Sequence, residues 1–159
     1  MSMAERFSTS APMLKAVPLS NNAHRQWPLK TLSHLWGDLA GRRVAILGLA
    51  YKPGTDAVRR SLGVELAKGL VAAKARAVAF DPKVTVSPVE GLTLATDIAE
   101  ALSGAEAVVL ATSWPQFKEI TAGQLISGME TPLVLDPDRH LGHLAGAKGI
   151  RYITIGTPA

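Results

Sequence analysis

Residues 44–61 read VAILGLAYKPGTDAVRRS, and this stretch decides the fold. Val44 to Leu47 is a short apolar run of the kind that fills a strand buried on both faces, and Gly48 follows it as in the first turn of a dinucleotide-binding unit. The chain then runs Leu49-Ala50-Tyr51-Lys52-Pro53-Gly54. It lacks the closely spaced glycines of G-x-G-x-x-G that bring backbone against a pyrophosphate. The chemistry of this turn therefore sits in side chains.

Downstream, apolar runs alternate with helical spacing. Ser61 is an N-cap for a helix with Leu62, Leu66 and Leu70 at i, i+4, i+8. RAVAFDP is a second strand halted at Asp81-Pro82, GLTLAT a short third, and AEAVVLAT a strong fourth after the helix DIAEALSG. PQFKEITAGQLISGM reads as helical, TPLVLD as a fifth strand and GIRYITIG as a last one. Strands spaced by helices predict right-handed crossovers and a doubly wound α/β domain, with a mainly parallel sheet and helices on both faces. Ligands of such sheets sit outside the carboxyl ends of the strands, so residues 49–60, 81–84, 112–115 and 136–141 are where function is expected.

Upstream, residues 1–20 show no steady period and read as a disordered or frayed arm. Residues 21–40 change character: Trp27, Leu32, Leu35, Trp36 and Leu39 recur at roughly helical spacing before Gly41. This connector helix is expected to lay its apolar stripe on the domain or on another chain. The domain proper spans 41–159.

Composition narrows the function classes. The 159 residues are 47% hydrophobic and 19% charged, ordinary values for one globular domain. No cysteine is present, which excludes disulfides, thiolate metal sites and a cysteine nucleophile within this chain. Of the four histidines, His140 and His143 lie in a Gly-rich segment without a carboxylate at metal-site spacing, and are expected to be solvated loop residues rather than ligands. The net charge of +4 lies entirely in residues 1–43, where six Lys/Arg face only Glu5 and Asp38. A body without net charge argues against nucleic-acid binding, which needs clustered cations. No run approaches the ~18 apolar residues of a membrane span and no signal-type start is present, so the expectation is a cytoplasmic protein without a membrane partner.

In the 48–61 turn, a cation at Lys52, an aromatic at Tyr51 and Arg59 beside a helix N-terminus suit an anionic ligand with a flat or sugar moiety. On spacing alone, surface charges paired with Asp56 explain the same residues equally well. Trp114 and Phe117 of SWPQF fit ordinary packing better than a base contact, and Asp81 reads first as a strand terminator and second as a crevice residue.

The linked motifs GRRVAILGLAYKPGTDAVRRS, VAFDPKV, AEAVVLATSWPQF and TPLVLDPDRH resemble the C-terminal, UDP-binding domain of the UDP-glucose/GDP-mannose dehydrogenase family, and SNNAHRQW resembles the end of that family's central helix. The resemblance covers about residues 21–156. It implies a nucleotide-sugar binding domain from an NAD-dependent enzyme that oxidises the C6 alcohol of its substrate through a catalytic cysteine. It further implies a fragment without catalytic residues of its own, since the NAD-binding domain and the cysteine of the family lie outside this sequence. Carried over residue by residue, Tyr51, Lys52 and Arg139 become substrate contacts and Arg59 the contact to NAD. The expected partners are a UDP-sugar and, through residues 21–40, a second copy or the remaining dehydrogenase domains. The chain departs from the family pattern at Ala57, Arg60 and Leu62, where Asp, Glu and Pro are usual, and by an extra residue near Pro137-Asp138. Two other classes fit the same residues: a nucleotide-binding or regulatory module without dehydrogenase activity, and a scaffold that only dimerises.

Overall fold

The computed structural model describes residues 12–156. Six strands form one sheet: β1 (Arg43–Leu47), β2 (Arg76–Phe80), β3 (Thr93–Leu94), β4 (Ala107–Leu110), β5 (Leu133–Leu135) and β6 (Arg151–Ile153). Their order is β3-β2-β1-β4-β5-β6, and all five pairings are parallel. Val44, Ala45, Ile46 and Leu47 are completely buried, as the opening run requires of a central strand covered on both faces.

Crossover handedness places the helices. The path β1 to β2 moves one way along the sheet through α2 (Leu62–Ala72), while β3 to β4 and β4 to β5 move the other way through α3 (Ile98–Leu102) and α4 (Ala122–Gly128). Right-handed connections therefore put α2 on one face and α3 with α4 on the other. Consistently, the Leu102 side chain lies in van der Waals range of Gly128. The doubly wound parallel domain expected from the sequence is the one observed.

The first helix, α1 (Pro12–Trp36), begins earlier than residue 21, and the part of the expected arm before residue 12 lies outside the described residues. No glycine interrupts the helix until Gly37, whose φ of +72° ends it. The apolar residues at 27–39 pack, wholly or in part, on the domain's own core: Leu32 is fully buried, and Trp27, Leu29, Leu35 and Trp36 are partly so. Leu29 fills the space where Gly69 of α2 has no side chain; a Cβ there would stand 2.5 Å from Leu29 Cδ2. Ion pairs fix the same arrangement: Arg25 donates to Glu65 of α2 at 2.6 Å, and Arg42 pairs with Glu106 while its guanidinium lies 5.2 Å over the Trp36 ring. At the carboxyl end of the sheet, His24 Nε2 reaches to 3.8 Å from Asp138.

Two predicted elements differ. The helical reading of 115–129 divides into a 3-10 turn (Pro115–Glu119) and α4, because Thr121 and Gln124 form a capping box that starts a new helix. The third strand shrinks to two residues. Among the described residues no helix is long and apolar enough to cross a membrane.

At its far end α2 closes in a paired hydrogen-bond motif: Ala75 N–H donates to Leu70 O and Lys74 N–H to Val71 O, with Lys74 left-handed at φ +60°. Glycine takes that conformation without the Cβ penalty. Lys74→Gly is therefore expected to raise stability by about 0.5–1 kcal/mol, read as a higher urea midpoint at unchanged slope. A lower midpoint would contradict the left-handed cap.

Candidate functional site at the strand ends

Strand order reverses between β1 and β4, so the crevice of the sheet opens above their carboxyl ends. Two glycines bring the walls of that crevice together. A Cβ on Gly48, where φ is +100°, would fall 2.4 Å from Thr112 Cβ, and one on Gly63 would fall 2.1 Å from Gly48 O. In the usual dinucleotide turn such glycines admit a pyrophosphate. Here the space is already taken by the β4 turn and by the turn's own carbonyl, so Gly48 and Gly63 form no phosphate cradle of that kind.

What the turn has instead is a buried carboxylate beneath it. Asp81, 5% exposed at the end of β2, accepts five hydrogen bonds. Oδ2 takes Leu49 N–H at 2.7 Å, Ala50 N–H at 2.9 Å and the Trp114 indole N–H at 3.1 Å. Oδ1 takes Lys83 N–H at 2.9 Å and Val84 N–H at 3.1 Å. Burial alone would raise the pKa of this carboxyl, but the N–H groups of Ala50, Lys83, Leu49 and Trp114 outweigh it and hold the pKa below the ordinary aspartate value. A third anchor comes from β4: Thr112 Oγ1 donates to Ala50 O at 2.6 Å. Leu49 and Ala50 are thus fixed on both sides, immediately before Tyr51 and Lys52.

Beyond Ala50 the chain leaves the core. Tyr51 N–H donates to Ala57 O at 2.7 Å, closing residues 51–57 into a loop, and Thr55 Oγ1 accepts from Ala57 N–H inside it. Tyr51 is 57% exposed, and Lys52, Arg59 and Arg60 are exposed beside it. No carboxylate of the described residues pairs with Lys52 or Arg59, so the alternative in which Asp56 neutralises them is not realised. Ser61 Oγ caps α2 by accepting from Val64 N–H, as expected, and Arg60 before it is left-handed at φ +62°.

Arg139 stands two strands away. Because β1 and β5 flank β4, their carboxyl ends lie roughly 10 Å apart. Arg139 is exposed and left-handed at φ +56°, in a turn organised by the fully buried Asp136. That carboxylate accepts from His140 N–H at 3.1 Å, Leu141 N–H at 2.6 Å and the Tyr152 phenol at 2.7 Å. Burial, with Asp136 as hydrogen-bond partner and as charge, pushes the Tyr152 pKa well up, so the phenol stays a donor. Arg139 lines an open cleft of about 650 Å³ with Gly142, Ile150, Arg151 and Tyr152, and neither Tyr51 nor Lys52 borders it. A second cleft of about 630 Å³ lies between the ends of β2 and β3, walled by Phe80, Pro82, Thr85, Leu94 and Gln116. The structure therefore brings Tyr51, Lys52 and Arg59 onto one turn and sets Arg139 apart on another.

His143 is exposed, as a solvated loop residue should be, while His140 is half-buried. His140 Nε2 lies 2.9 Å from Trp114 O and His143 Nε2 lies 2.8 Å from Ile120 O. A carbonyl only accepts, so each ring carries its proton on Nε2 and ties the β5–β6 connection to the β4 turn. Trp114 and Phe117 are buried, as the packing reading requires, and Phe117 meets Phe80 edge-on at 6.3 Å. Sequence reasoning did not join Asp81, Thr112 and Trp114 into one cluster; the available signal was a polar residue directly after each of two buried strands.

Comparison with known proteins agrees with this fold. Residues 45–143 match the model of the UDP-glucose/GDP-mannose dehydrogenase family, UDP binding domain. The chain is 35% identical over 146 residues to a UDP-glucose 6-dehydrogenase of Rhizobium meliloti, covering 89% of this chain and 33% of that protein. It is 34% identical over 154 residues to UDP-glucose 6-dehydrogenase YwqF of Bacillus subtilis, covering 92% and 34%. Among solved structures it resembles a UDP-glucose dehydrogenase from the archaeon Pyrobaculum islandicum, with a TM-score of 0.73, 31% identity and coverage of 84% of this chain and 30% of that one. A GDP-mannose dehydrogenase from Pseudomonas aeruginosa, solved as a ternary complex, gives 0.66 and 26%, with 84% and 32% covered. The chain spans about a third of the length of the curated relatives it matches. By motif, fold and sequence, it belongs to the UDP-glucose/GDP-mannose dehydrogenase family and carries its UDP binding domain.

Proposed function

We propose that this domain holds the uridine diphosphate end of a nucleotide sugar above the β1 turn, as part of an NAD-dependent nucleotide-sugar 6-dehydrogenase. The observation that carries the reading is Lys52: an exposed ammonium without a carboxylate partner among the described residues, on a turn whose base is held by the Leu49 and Ala50 N–H groups donating to Asp81. Lys52 offers three donors to diphosphate or sugar oxygens, Tyr51 an aromatic face beside them, and Arg139 a second cation from the far side of β4. Positioning by charge replaces the missing glycine cradle.

NAD is a different matter. With the spaces at Gly48 and Gly63 occupied, these residues do not form a dinucleotide site of their own. Arg59, exposed and unpaired at the start of α2, fits a single charge contact to a cofactor bound mainly by another domain. No chemical step is assigned to this chain by itself.

Lys52→Ala is the test. Calorimetric titration with UDP-glucose should show affinity reduced by about 10–150-fold, equivalent to about 1.5–3 kcal/mol for a hydrogen bond from a charged donor. Unfolding should stay within about 1 kcal/mol, since an exposed unpaired lysine holds nothing. Arg60→Ala, which removes a neighbouring cation that the family pattern does not use, should leave affinity nearly unchanged. Equal losses in both variants would mean that general positive charge attracts the ligand, and would reject the placed contact.

A further inference from the structure

We propose that Asp81 and Trp114 are positioning residues for nucleotide-sugar binding, setting the direction in which Tyr51 and Lys52 leave the sheet. The inference rests on the reading of Lys52 given above.

In an ordinary dinucleotide fold, an acidic residue at the end of the second strand faces the crevice and receives a ribose hydroxyl. Asp81 occupies that topological place but faces inward. Each of its oxygens is already engaged, Oδ2 by three donors and Oδ1 by two, which leaves no lone pair for a ligand. Its role is therefore exerted through the backbone. Leu49 N–H and Ala50 N–H both point at Oδ2, which aligns two successive peptide planes, and Thr112 Oγ1 holds the carbonyl of the next plane, Ala50–Tyr51, from the β4 side. The next two residues are Tyr51 and Lys52, and no further hydrogen bond fixes the direction of the loop until Tyr51 N–H meets Ala57 O. Trp114 completes the cluster: its indole N–H donates to the same Oδ2, its backbone carbonyl lies against the His140 ring, and its ring is buried. Through the Trp114 carbonyl and the His140 ring the cluster also touches the turn that presents Arg139, whose own base is ordered by Asp136.

Trp114→Phe is the deciding variant, because it removes the indole N–H while keeping a buried aromatic; Asp81→Asn supplements it but leaves several buried donors poorly paired. UDP is titrated into the whole chain, the two variants, Lys52→Ala and the Lys52→Ala/Trp114→Phe double variant, well below every melting temperature. Trp114→Phe is expected to weaken UDP binding roughly fivefold, the scale of one hydrogen bond. In the double variant the two losses should not add: removing Lys52 should shrink the effect of Trp114→Phe, leaving only the part exerted through Tyr51. A purely structural role would lower the melting temperature with UDP affinity unchanged, or give additive losses, and either result overturns the proposal. If the unaltered chain does not bind UDP, or Lys52→Ala binds as well as it does, the reading of the site fails and this inference falls with it. Binding that needs Lys52 but ignores Trp114→Phe and Asp81→Asn defeats the inference alone.

Discussion

Asp81→Ala should cost about 3–5 kcal/mol of stability at pH 7, measured by urea denaturation, one of the largest losses any single substitution in this chain should cause. Four backbone N–H groups and one indole N–H lose their acceptor, and Leu49, Ala50 and Val84 are themselves buried, so water replaces the carboxylate poorly. The same residue sets part of the acid limb. Its folded pKa lies below the ordinary aspartate value, so the carboxylate binds protons more weakly in the folded than in the unfolded chain. That contribution is fully present above the unfolded pKa of about 3.9 and disappears as pH falls through the folded value. Unfolding free energy followed from pH 6 to pH 2 should therefore fall less steeply in Asp81→Ala than in the unaltered chain. Parallel curves would show that the five hydrogen bonds do not stabilise the charged form.

Gly63→Ala should cost about 3 kcal/mol, at the upper end of the ordinary range for overpacking. The added methyl would stand 2.1 Å from Gly48 O and 3.3 Å from Ala111 Cβ. Neither neighbour yields easily, since Gly48 continues the central strand and donates its own N–H to Phe80 O at 2.8 Å. Relief requires α2 to move away from the sheet, which carries the Ser61 cap and the Arg59 side of the turn with it. Gly123→Ala is the matched control. Its methyl would meet nothing closer than Thr121 Oγ1 at 3.8 Å, and alanine in a helix is favoured over glycine, so stability should hold or rise. A tolerated Gly63→Ala would mean that the close approach of α2 to β1 is not what fixes the turn.

The sheet was legible because its signals are local. A buried central strand announces itself as Val44-Ala45-Ile46-Leu47, and a helix start as Ser61 ahead of leucines at helical spacing. Lys52 and Tyr51 stood out as candidates for a similar reason: a turn without spaced glycines leaves only side chains to do chemistry. The Asp81 cluster was not, because its five donors come from turns that follow three different strands and only the sheet order brings those turns together. The contacts of His140 and His143 were not legible, because nothing nearby in sequence reveals that the carbonyls of Trp114 and Ile120 stand opposite them. The buried stripe of α1 depended on a gap at Gly69, a vacancy visible only once α2 is in place. Arg139 became a candidate through its motif, but its separation from Lys52 by the width of β4 follows from topology alone.

The sheet also tapers. β1 and β2 have five residues each, whereas the outermost strands, β3 and β6, have two and three. An outer strand presents unpaired N–H and C=O groups along its free side, a template on which a strand from another molecule can add. Rims this short offer too few such groups to seed a new pairing, and Thr93 and Arg151 put a polar and a charged side chain on them. A parallel sheet assembles slowly because its contacts are far apart in sequence, which lengthens the time its borders stand open during folding. Blunt borders guard that interval against fibre-like stacking, leaving the crevice face free to carry exposed cations and an exposed tyrosine without the molecule becoming adhesive.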